Sequence, residues 1–338
     1  MSDARRLVTC LGEGLMDLLP MSEAGATVGF RLAPGGSILN VAVGLARLGV
    51  PAAFAGKLAD DFFGRRLRDY LRAEGVRLDL LAAAPRSHTT LAFVIPPDAT
   101  STAGAADEPA FTFYGDNAAD TLLTSEELPP ALFTETAALH LGSISLLRGT
   151  TPLAARAAAE RLKGQALLSL DPNIRPGLIA DAPAYRATLG AFMALTDVLK
   201  LSLADVAWLE PDLVGADPLA VAASFAARGP QLVALTLGER GAALATRDGA
   251  RASVAAPAVT LVDTVGAGDA FAAGLLGALM ERGATTRAKL RALNQAELTE
   301  ALRWATTVAA LTCARPGANP PSRVEALAQM ETPPQPHI

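Results

Sequence analysis

The 338-residue chain has few of the residues that build several common functional sites. Its only cysteines, Cys10 and Cys313, lie in apolar runs, so we expect reduced, buried side chains and a cytoplasmic protein. Its three histidines, His88, His140 and His337, are not spaced like metal ligands. The composition therefore indicates neither a disulfide scaffold nor a histidine-based metal centre.

Long apolar runs and an excess of positive charge are also missing. Glycine, proline or charged residues break every apolar stretch, so we expect no transmembrane helix. The polar residues 1–6 lead straight into an apolar run, which favours a first strand over a signal peptide. With 29 basic and 34 acidic residues the net charge is −5, which argues against nucleic-acid or membrane partners.

Two familiar phosphate-binding motifs are absent from the sequence. It contains no G-x-x-x-x-G-K-[ST] loop, and no G-x-G-x-x-G follows the first apolar run. The first absence excludes a P-loop kinase, and the second argues against a dinucleotide-binding enzyme.

The chain does show a regular alternation between strand-like apolar runs and alanine-rich helical segments. Strand-like runs occur at 138–141, 166–170, 198–201 and 232–237, each followed by a turn and a candidate helix. This rhythm predicts βα units, and hence an α/β fold with a mostly parallel central sheet. With 51% hydrophobic residues, a chain of this length can bury a large core.

Two stretches, about 15–33 and 89–114, break this rhythm with short alternating segments. They predict a small β-sheet separate from the main one, which could act as a lid. Residues 96–109 are rich in turn-forming residues and predict a long exposed loop. We therefore expect one domain over residues 1–330 that carries the lid, followed by a flexible proline-rich tail at 331–338.

The most informative motif is D-T-V-G-A-G-D-A-F at 263–271. Gly266, Ala267 and Gly268 form a turn before an apolar run that is typical of a buried helix. Such a turn collects unpaired backbone N–H groups at the positive end of the helix dipole, which suits a phosphate. Asp269 would repel a bound anion, but it makes sense as a base beside a transferred phosphate. The alternative is an ordinary helix N-cap.

Polar or glycine-containing turns also follow other strands, and together they predict one crevice at the carboxyl edge of the sheet. Asp17, after the first strand, could accept hydrogen bonds from two vicinal hydroxyl groups, or could serve as a turn or cap. Gly35 and Gly36 would let a ligand approach the backbone, and Asn40 could bind a sugar hydroxyl. The alternative for these three is an ordinary glycine turn before a helix at 41–48.

Three later turns extend the crevice. Asn173 and Arg175, in the stretch D-P-N-I-R, could hold hydroxyl or phosphate oxygens. Ser202, followed three residues later by Asp205, predicts a capping box. The turn after the next strand could line a nucleotide or simply form a hairpin. Its polar and glycine residues are Thr236, Gly238 and Gly241.

Over nearly its whole length, the chain resembles the ribokinase (PfkB) family of sugar kinases. The stretch G-G-S-I-L-N-V-A at 35–42 is similar to the family's first motif, and 263–271 is similar to its highly specific second motif. Four further stretches look most like bacterial fructokinases: 12–20, 139–147, 168–179 and 314–323. The resemblance implies a ribokinase-like three-layer α/β/α sandwich with a β-sheet lid over the sugar.

The resemblance also implies roles for individual residues. Asp269 would be the catalytic base, with an anion hole formed by Gly266, Ala267 and Gly268. The sugar-binding positions would be Asp17, Gly35, Gly36, Asn40, Asn173 and Arg175. The nucleotide-binding positions would be Ser202, Thr236, Gly238 and Gly241. Asp205 would contact Mg²⁺ through water. Backbone near five residues would hold a monovalent cation: Asp263, Val265, Thr312, Arg315 and Gly317.

The implied reaction is phosphorylation of a primary hydroxyl of a ketose by ATP, with Mg²⁺ and with K⁺ as an activator. D-Fructose is the first expectation for the sugar. The alternatives are 2-keto-3-deoxygluconate, another sugar or a nucleoside. The family also allows a homodimer formed through the lid, and a catalytically silent member that acts as a binding protein. The intact Asp269 and its glycine turn argue against the silent form.

One position departs from the fructokinase pattern. Fructokinase-like chains usually carry an arginine after the Phe-Tyr pair of the lid, whereas Tyr114 is followed here by Gly115 and Asp116. An arginine would offer a fork of donors to the ligand, and Gly115 offers only backbone. Asp116 would repel a carboxylate, which favours a neutral ketose over an acidic sugar.

Overall fold

The computed structural model describes residues 7–23, 26–95 and 110–331. Thirteen strands occur in these residues: β1 Leu7–Leu11, β2 Leu15–Glu23, β3 Ala26–Gly35, β4 Ala52–Lys57, β5 Leu81–Ala82, β6 Leu91–Ile95, β7 Ala110–Tyr114, β8 Thr136–Gly142, β9 Leu167–Asp171, β10 Val198–Ser202, β11 Leu232–Thr236, β12 Ala242–Thr246 and β13 Arg251–Val254. Eleven α-helices occur in the same residues: α1 Ser37–Arg47, α2 Phe62–Ala73, α3 Pro130–Glu135, α4 Thr151–Leu162, α5 Ala182–Leu195, α6 Leu203–Leu209, α7 Pro218–Ala226, α8 Ala267–Glu281, α9 Arg287–Arg291, α10 Gln295–Cys313 and α11 Arg323–Glu331.

Nine strands form the main sheet, in the order β13-β12-β11-β10-β9-β8-β1-β4-β5. All neighbours from β11 to β5 pair in parallel, whereas β12 and β13 add an antiparallel edge. The four strand-like runs of the sequence match β8, β9, β10 and β11 to within two residues. The predicted α/β class with a mostly parallel sheet is confirmed.

Helices cover both faces of this sheet because its strands carry buried apolar side chains on both sides. On β1, for example, Val8 and Cys10 belong to one core, whereas Leu7 and Leu11 belong to the other. The first core includes side chains of α1, α2, α8 and α10, and the second includes side chains of α3, α4, α5 and α7. The two cores produce the predicted three-layer α/β/α sandwich.

The second sheet has four strands in the order β3-β2-β6-β7. Strand β2 pairs antiparallel with β3 and parallel with β6, and β6 pairs antiparallel with β7. These strands lie within the two stretches expected to form a lid, except that β3 continues to Gly35. The predicted small sheet is confirmed. The loop expected at 96–109 lies outside the described residues, and so does the tail expected at 331–338, apart from Glu331, which ends α11.

Helix α1 begins four residues earlier than the run of apolar residues indicates. It starts at Ser37 and ends at Arg47, after which Gly49 adopts a φ of +78°. A glycine in this left-handed conformation is a common way to end a helix, as expected at that position. The early start matters for function because it places Ser37 in the first turn of a helix.

Two expectations from composition concern thiols and membranes. Both cysteines are free; Cys10 is buried as expected, whereas Cys313 is partly exposed. In the three described ranges, no helix has the length and apolar character that a membrane span requires.

Candidate active site

Asp269 lies in the first turn of α8 and is only 8% exposed. Its Oδ1 accepts a hydrogen bond from Ser37 Oγ at 2.6 Å, and its Oδ2 accepts one from Asn40 Nδ2 at 2.8 Å. Ser37 and Asn40 are three residues apart at the start of α1, so both donors lie on the same face of the helix. The two bonds fix the orientation of the carboxylate, as a positioned base requires.

The turn Gly266-Ala267-Gly268 has the geometry expected of an anion hole. We call this helix start, with its unpaired backbone N–H groups, the anion nest. Gly266 is the N-cap of α8, and its φ of +76° is a conformation that glycine adopts without strain. The Ala267 N–H donates to Thr264 O at 3.2 Å, whereas the Gly268 and Asp269 N–H groups have no backbone acceptor in the described part of the chain. Asp269 is therefore not the N-cap, and that alternative is wrong. The two free donors suit an anion.

Asp17 on β2 lies against the glycine turn that precedes α1. A Cβ built on Gly35 would lie only 2.1 Å from Asp17 Oδ2, so glycine is needed for this approach. Burial, with a smaller contribution from the negative charge of Asp269, raises the pKa of Asp17 to about 7. The two carboxylates therefore belong to one electrostatic site.

Glu13 is a buried acid for which sequence reasoning found no role. It is 0% exposed, and its carboxylate accepts hydrogen bonds from Ser145 Oγ and, at 3.4 Å, from Ile38 N–H. Burial raises its pKa to about 7. Because Ile38 directly follows Ser37, Glu13 holds the end of β1 against the helix start that orients Asp269. Its signal in the sequence is an acid between two glycines directly after a buried strand.

Asn173 and Arg175 follow β9, as expected. Asn173 has a φ of +42°, in the left-handed region that asparagine tolerates better than most residues. Arg175 is partly exposed, and its guanidinium makes no hydrogen bond or ion pair with the described residues. It is therefore a cation available to a ligand, and its contact with the sugar stays a prediction.

Ser202 and Asp205 form the capping box expected at the start of α6. The Ser202 N–H and Oγ both donate to Asp205 Oδ2 at 2.7 Å, and Ile174 N–H donates to Oδ1 at 2.8 Å. These bonds use three of about four acceptor positions of the carboxylate, which leaves one for a water bound to a metal. No group of three or more metal-ligating side chains occurs within the described residues.

The turn after β11 forms a hairpin, because β11 pairs antiparallel with β12. Gly238 and Gly241 adopt φ angles of +63° and +92°, and a Cβ on Gly241 would lie 2.1 Å from Val254 O. The backbone conformation of the turn therefore favours glycine at both positions. Thr236 is the last residue of β11. The hairpin interpretation is confirmed, and a nucleotide contact stays a prediction.

Asp263 joins the two loops expected to hold a monovalent cation. Its Oδ1 accepts from Val265 N–H at 3.0 Å, and its Oδ2 accepts from Gly317 N–H at 2.8 Å. The Thr312 carbonyl accepts from Arg315 N–H at 3.1 Å, but the carbonyls of Asp263, Val265 and Arg315 accept no backbone hydrogen bond from the described residues. Free carbonyl oxygens on two joined loops fit a hard cation such as K⁺.

Gly115, at the position where fructokinases usually carry an arginine, is buried against the second sheet. A Cβ built there would lie 2.5 Å from Thr90 Oγ1, which itself donates to Asp120 Oδ1 at 2.6 Å. This backbone therefore leaves no room for a side chain at 115. Asp116 is exposed and lines a cavity of about 530 Å³ together with His88. No predicted sugar-binding residue lines that cavity.

The three-layer fold, the small second sheet and a buried carboxylate at a glycine-initiated helix define a ribokinase-like small-molecule kinase. The chain belongs to the pfkB family of carbohydrate kinases, whose profile matches residues 5–325. The protein is therefore a carbohydrate kinase, and the family expected from its two motifs is confirmed.

The chain is similar to fructokinases in both sequence and structure. Fructokinase-1 of Oryza sativa subsp. japonica is 37% identical over 343 residues, covering 98% of this chain and 100% of that protein. The ATP-bound fructokinase of Xylella fastidiosa has a TM-score of 0.83 at 28% identity, covering 97% of this chain and 98% of the other. A double mutant of the Vibrio cholerae O395 fructokinase, bound to fructose, ADP and potassium, has a TM-score of 0.81 at 30% identity, covering 98% and 100%.

Proposed function

We propose that the protein is an ATP-dependent fructokinase that phosphorylates a primary hydroxyl of D-fructose. The observation that carries the proposal is the Asp269 carboxylate, held by Ser37 and Asn40 beside two free N–H groups at the start of α8. The fructokinase relatives support the choice of sugar. The free thiols Cys10 and Cys313 support a location in the cytoplasm.

In this mechanism Asp269 takes the proton of the sugar hydroxyl as its oxygen attacks the γ-phosphorus in line. A new oxygen–phosphorus bond forms, the bond to the β-phosphate oxygen breaks, and ADP leaves with that electron pair. Ser37 and Asn40 keep the carboxylate in position. The Gly268 and Asp269 N–H groups stabilise the charge on the phosphoryl oxygens in the transition state.

On the sugar side, Asp17 as a carboxylate would accept hydrogen bonds from two neighbouring hydroxyl groups. Gly35 and Gly36 would let the sugar contact the backbone. Asn40 keeps its side-chain carbonyl for a hydroxyl, since its amide donates to Asp269. Arg175 would supply further donors from the turn after β9, with Asn173 beside it.

On the nucleotide side, ATP would lie along the strand ends that carry Ser202 and the turn after β11. That turn contains Thr236, Gly238 and Gly241. Mg²⁺ bound to the phosphates would neutralise part of their charge. Asp205 would hold such an ion through one water, since one acceptor position of its carboxylate remains.

A K⁺ ion would be held by carbonyl oxygens of the loops that Asp263 joins. These loops also support the nest, because a Cβ on Gly266 would lie 2.6 Å from Ala318 Cβ. An ion in the loops would therefore act on the shape of the helix start and on the local charge.

The four-stranded sheet would close over the sugar and would also pair with its copy in a homodimer. Its exposed apolar side chains support this: Met21, Val28, Phe30, Ile95 and Tyr114 are 49%, 53%, 42%, 46% and 62% exposed. Sedimentation of the wild-type protein and of Phe30→Asp tests the dimer. Equal masses for the two proteins at every concentration would refute it.

A coupled ADP-release assay over a panel of sugars tests the proposed reaction. We expect the highest kcat/KM with D-fructose, because this ratio measures transition-state binding. A preference for 2-keto-3-deoxygluconate would overturn the sugar assignment and make Arg175 the expected partner of its carboxylate. No ADP release with any sugar would refute the kinase and favour a binding protein.

A further inference from the structure

A lysine and an aspartate form a buried ion pair beside the start of α8. Lys200 on β10 is 4% exposed, Asp171 at the end of β9 is 1% exposed, and Lys200 Nζ lies 2.9 Å from Asp171 Oδ2. Neither residue belongs to the sugar-binding, nucleotide-binding or cation-binding sets described above. Buried charges are rare in proteins because each ion loses its water shell.

The ammonium group of Lys200 lies close to the anion nest because residue 268 is glycine. A Cβ built on Gly268 would lie 3.0 Å from Lys200 Nζ and 3.8 Å from its Cε. A side chain at this position would push the ammonium away from the helix start. Gly268 therefore allows a positive charge to lie against the peptide groups that would face the phosphoryl oxygens.

The surroundings of Lys200 keep it charged. Burial opposes the ammonium form, but the carboxylates of Asp171, Asp205 and Asp269 outweigh this effect and raise the pKa of Lys200. His140, on β8, stays neutral, because burial and then the charge of Lys200 lower its pKa to about 3. At neutral pH the lysine is thus a cation among three acids from β9, α6 and α8.

The pair is not arranged as a good stabiliser of the fold. Asp171 Oδ1 is buried and has no hydrogen-bond donor in the described residues. Burial raises the pKa of Asp171 to about 6 even though Lys200 acts in the opposite direction. Replacing a buried pair by apolar side chains of similar size is often neutral or stabilising, so stability alone does not explain this one.

We propose that Lys200, held by Asp171, is a positioning residue for phosphoryl transfer, whose ammonium adds positive charge to the anion nest through the Gly268 peptide. The inference rests on the proposed function in one respect, namely that the phosphoryl group lies at the start of α8. The ammonium acts on charge that develops during transfer. Its loss therefore lowers kcat more than it weakens sugar binding.

The test compares Lys200→Met with the double variant Lys200→Met/Asp171→Asn, on the sugar that the wild-type protein phosphorylates fastest. We expect Lys200→Met to lower kcat by about 10²-fold, at the low end of the range for a lost transition-state contact, with little change in the KM for the sugar. Removing both charges brings Tm back toward the wild-type value. The recovery of Tm is not accompanied by a recovery of activity, so kcat of the double variant stays low.

Val198→Ala is the matched control for a purely structural loss. Val198 lies two residues earlier on β10 and is 1% exposed, so its truncation lowers Tm without changing any charge. Recovery of kcat in the double variant, or a loss in Lys200→Met no larger than in Val198→Ala, would overturn the inference. The inference would also be overturned if Lys200→Met did not fold while Asp171→Asn folded. Absence of turnover in the wild-type protein would refute the proposed function, and the inference with it. The other outcomes refute only the role of Lys200, because the wild-type protein still turns over.

Discussion

The sharpest prediction concerns Asp269→Asn. The substitution keeps the size and shape of the side chain but removes its ability to take a proton at neutral pH. We expect kcat to fall by about 10³-fold, the middle of the range for a general base. At 1.36 kcal/mol per decade, this is about 4 kcal/mol of transition-state stabilisation.

The structure indicates that the same change costs less in stability than in turnover. The carboxylate accepts one hydrogen bond from Ser37 and one from Asn40. An amide at 269 offers one acceptor and one donor, so one of the two bonds is lost unless the Asn40 amide turns over. A hydrogen bond to a charged group is worth about 1.5–3 kcal/mol, which is still below the expected effect on kcat. Sugar and ATP binding should remain largely intact.

Asp217→Asn is a suitable control for Asp269→Asn, because it removes an acid at another helix start. Asp217 caps α7 by accepting from Ala220 N–H at 2.9 Å, and asparagine caps equally well. Steady-state kinetics with D-fructose and calorimetric Tm values would be measured for both variants. If Asp269→Asn keeps more than about a tenth of wild-type turnover, a loss far below the general-base range, then Asp269 is not the base.

Three further predictions follow from the lid, the cation loops and the buried acids. Hydrogen exchange in β2, β3, β6 and β7 should slow when sugar binds, and equal exchange in both states would exclude closure of the sheet. Activity should be higher in KCl than in NaCl or LiCl at matched ionic strength, and identical rates in the three salts would exclude a cation effect. Burial raises the pKa values of Glu13 and Asp17 to about 7, so the folded state holds more protons than the unfolded state above their unfolded pKa values. Their contribution to stability is present below about pH 4, near the unfolded pKa values, and is lost as pH rises through the folded pKa of about 7. The fall in Tm between about pH 5 and 7 should therefore be smaller in Glu13→Gln than in the wild type; equal falls in the two proteins would contradict the argument.

Local patterns were sufficient to predict the mostly parallel character of the main sheet, five of its nine strands and the glycine turn that begins α8. Buried parallel strands appear in the sequence as short apolar runs. The Gly-Ala-Gly turn is recognisable because Gly266 has a positive φ, a conformation that favours glycine. The start of α1 was harder to predict, because Gly-Gly-Ser resembles a loop. Gly36, with a φ of +103°, turns the chain directly into the helix at Ser37. No local pattern contains that information.

Contacts between distant segments could not be predicted from the sequence. The bond from Ser37 to Asp269 depends on how α1 packs against α8, and sequence reasoning therefore gave Ser37 no role. The pair formed by Lys200 and Asp171 has the same origin. Its only signal is a lysine inside an otherwise apolar strand, which is unusual because a buried charge needs a partner.

The packing of Gly115 against Thr90 shows why one departure from the fructokinase pattern involves two positions. The arginine cannot simply be restored, because its Cβ would meet the Thr90 hydroxyl that holds Asp120. The residues at 115 and 90 are therefore coupled, because residues in contact do not substitute independently. The absence of the arginine is thus a property of the packing between positions 115 and 90, and not of position 115 alone.

The link between Asp269 and the start of α1 also has a consequence for how the enzyme is made. The base and its two donors are 232 and 229 residues apart in the chain. During synthesis on the ribosome, α1 emerges long before the residue that it has to orient. Contacts of such high sequence separation form late in folding, because a long loop has to close first. Turnover is therefore a property of the finished molecule, and a truncated product or an incompletely folded intermediate will consume no ATP through this site.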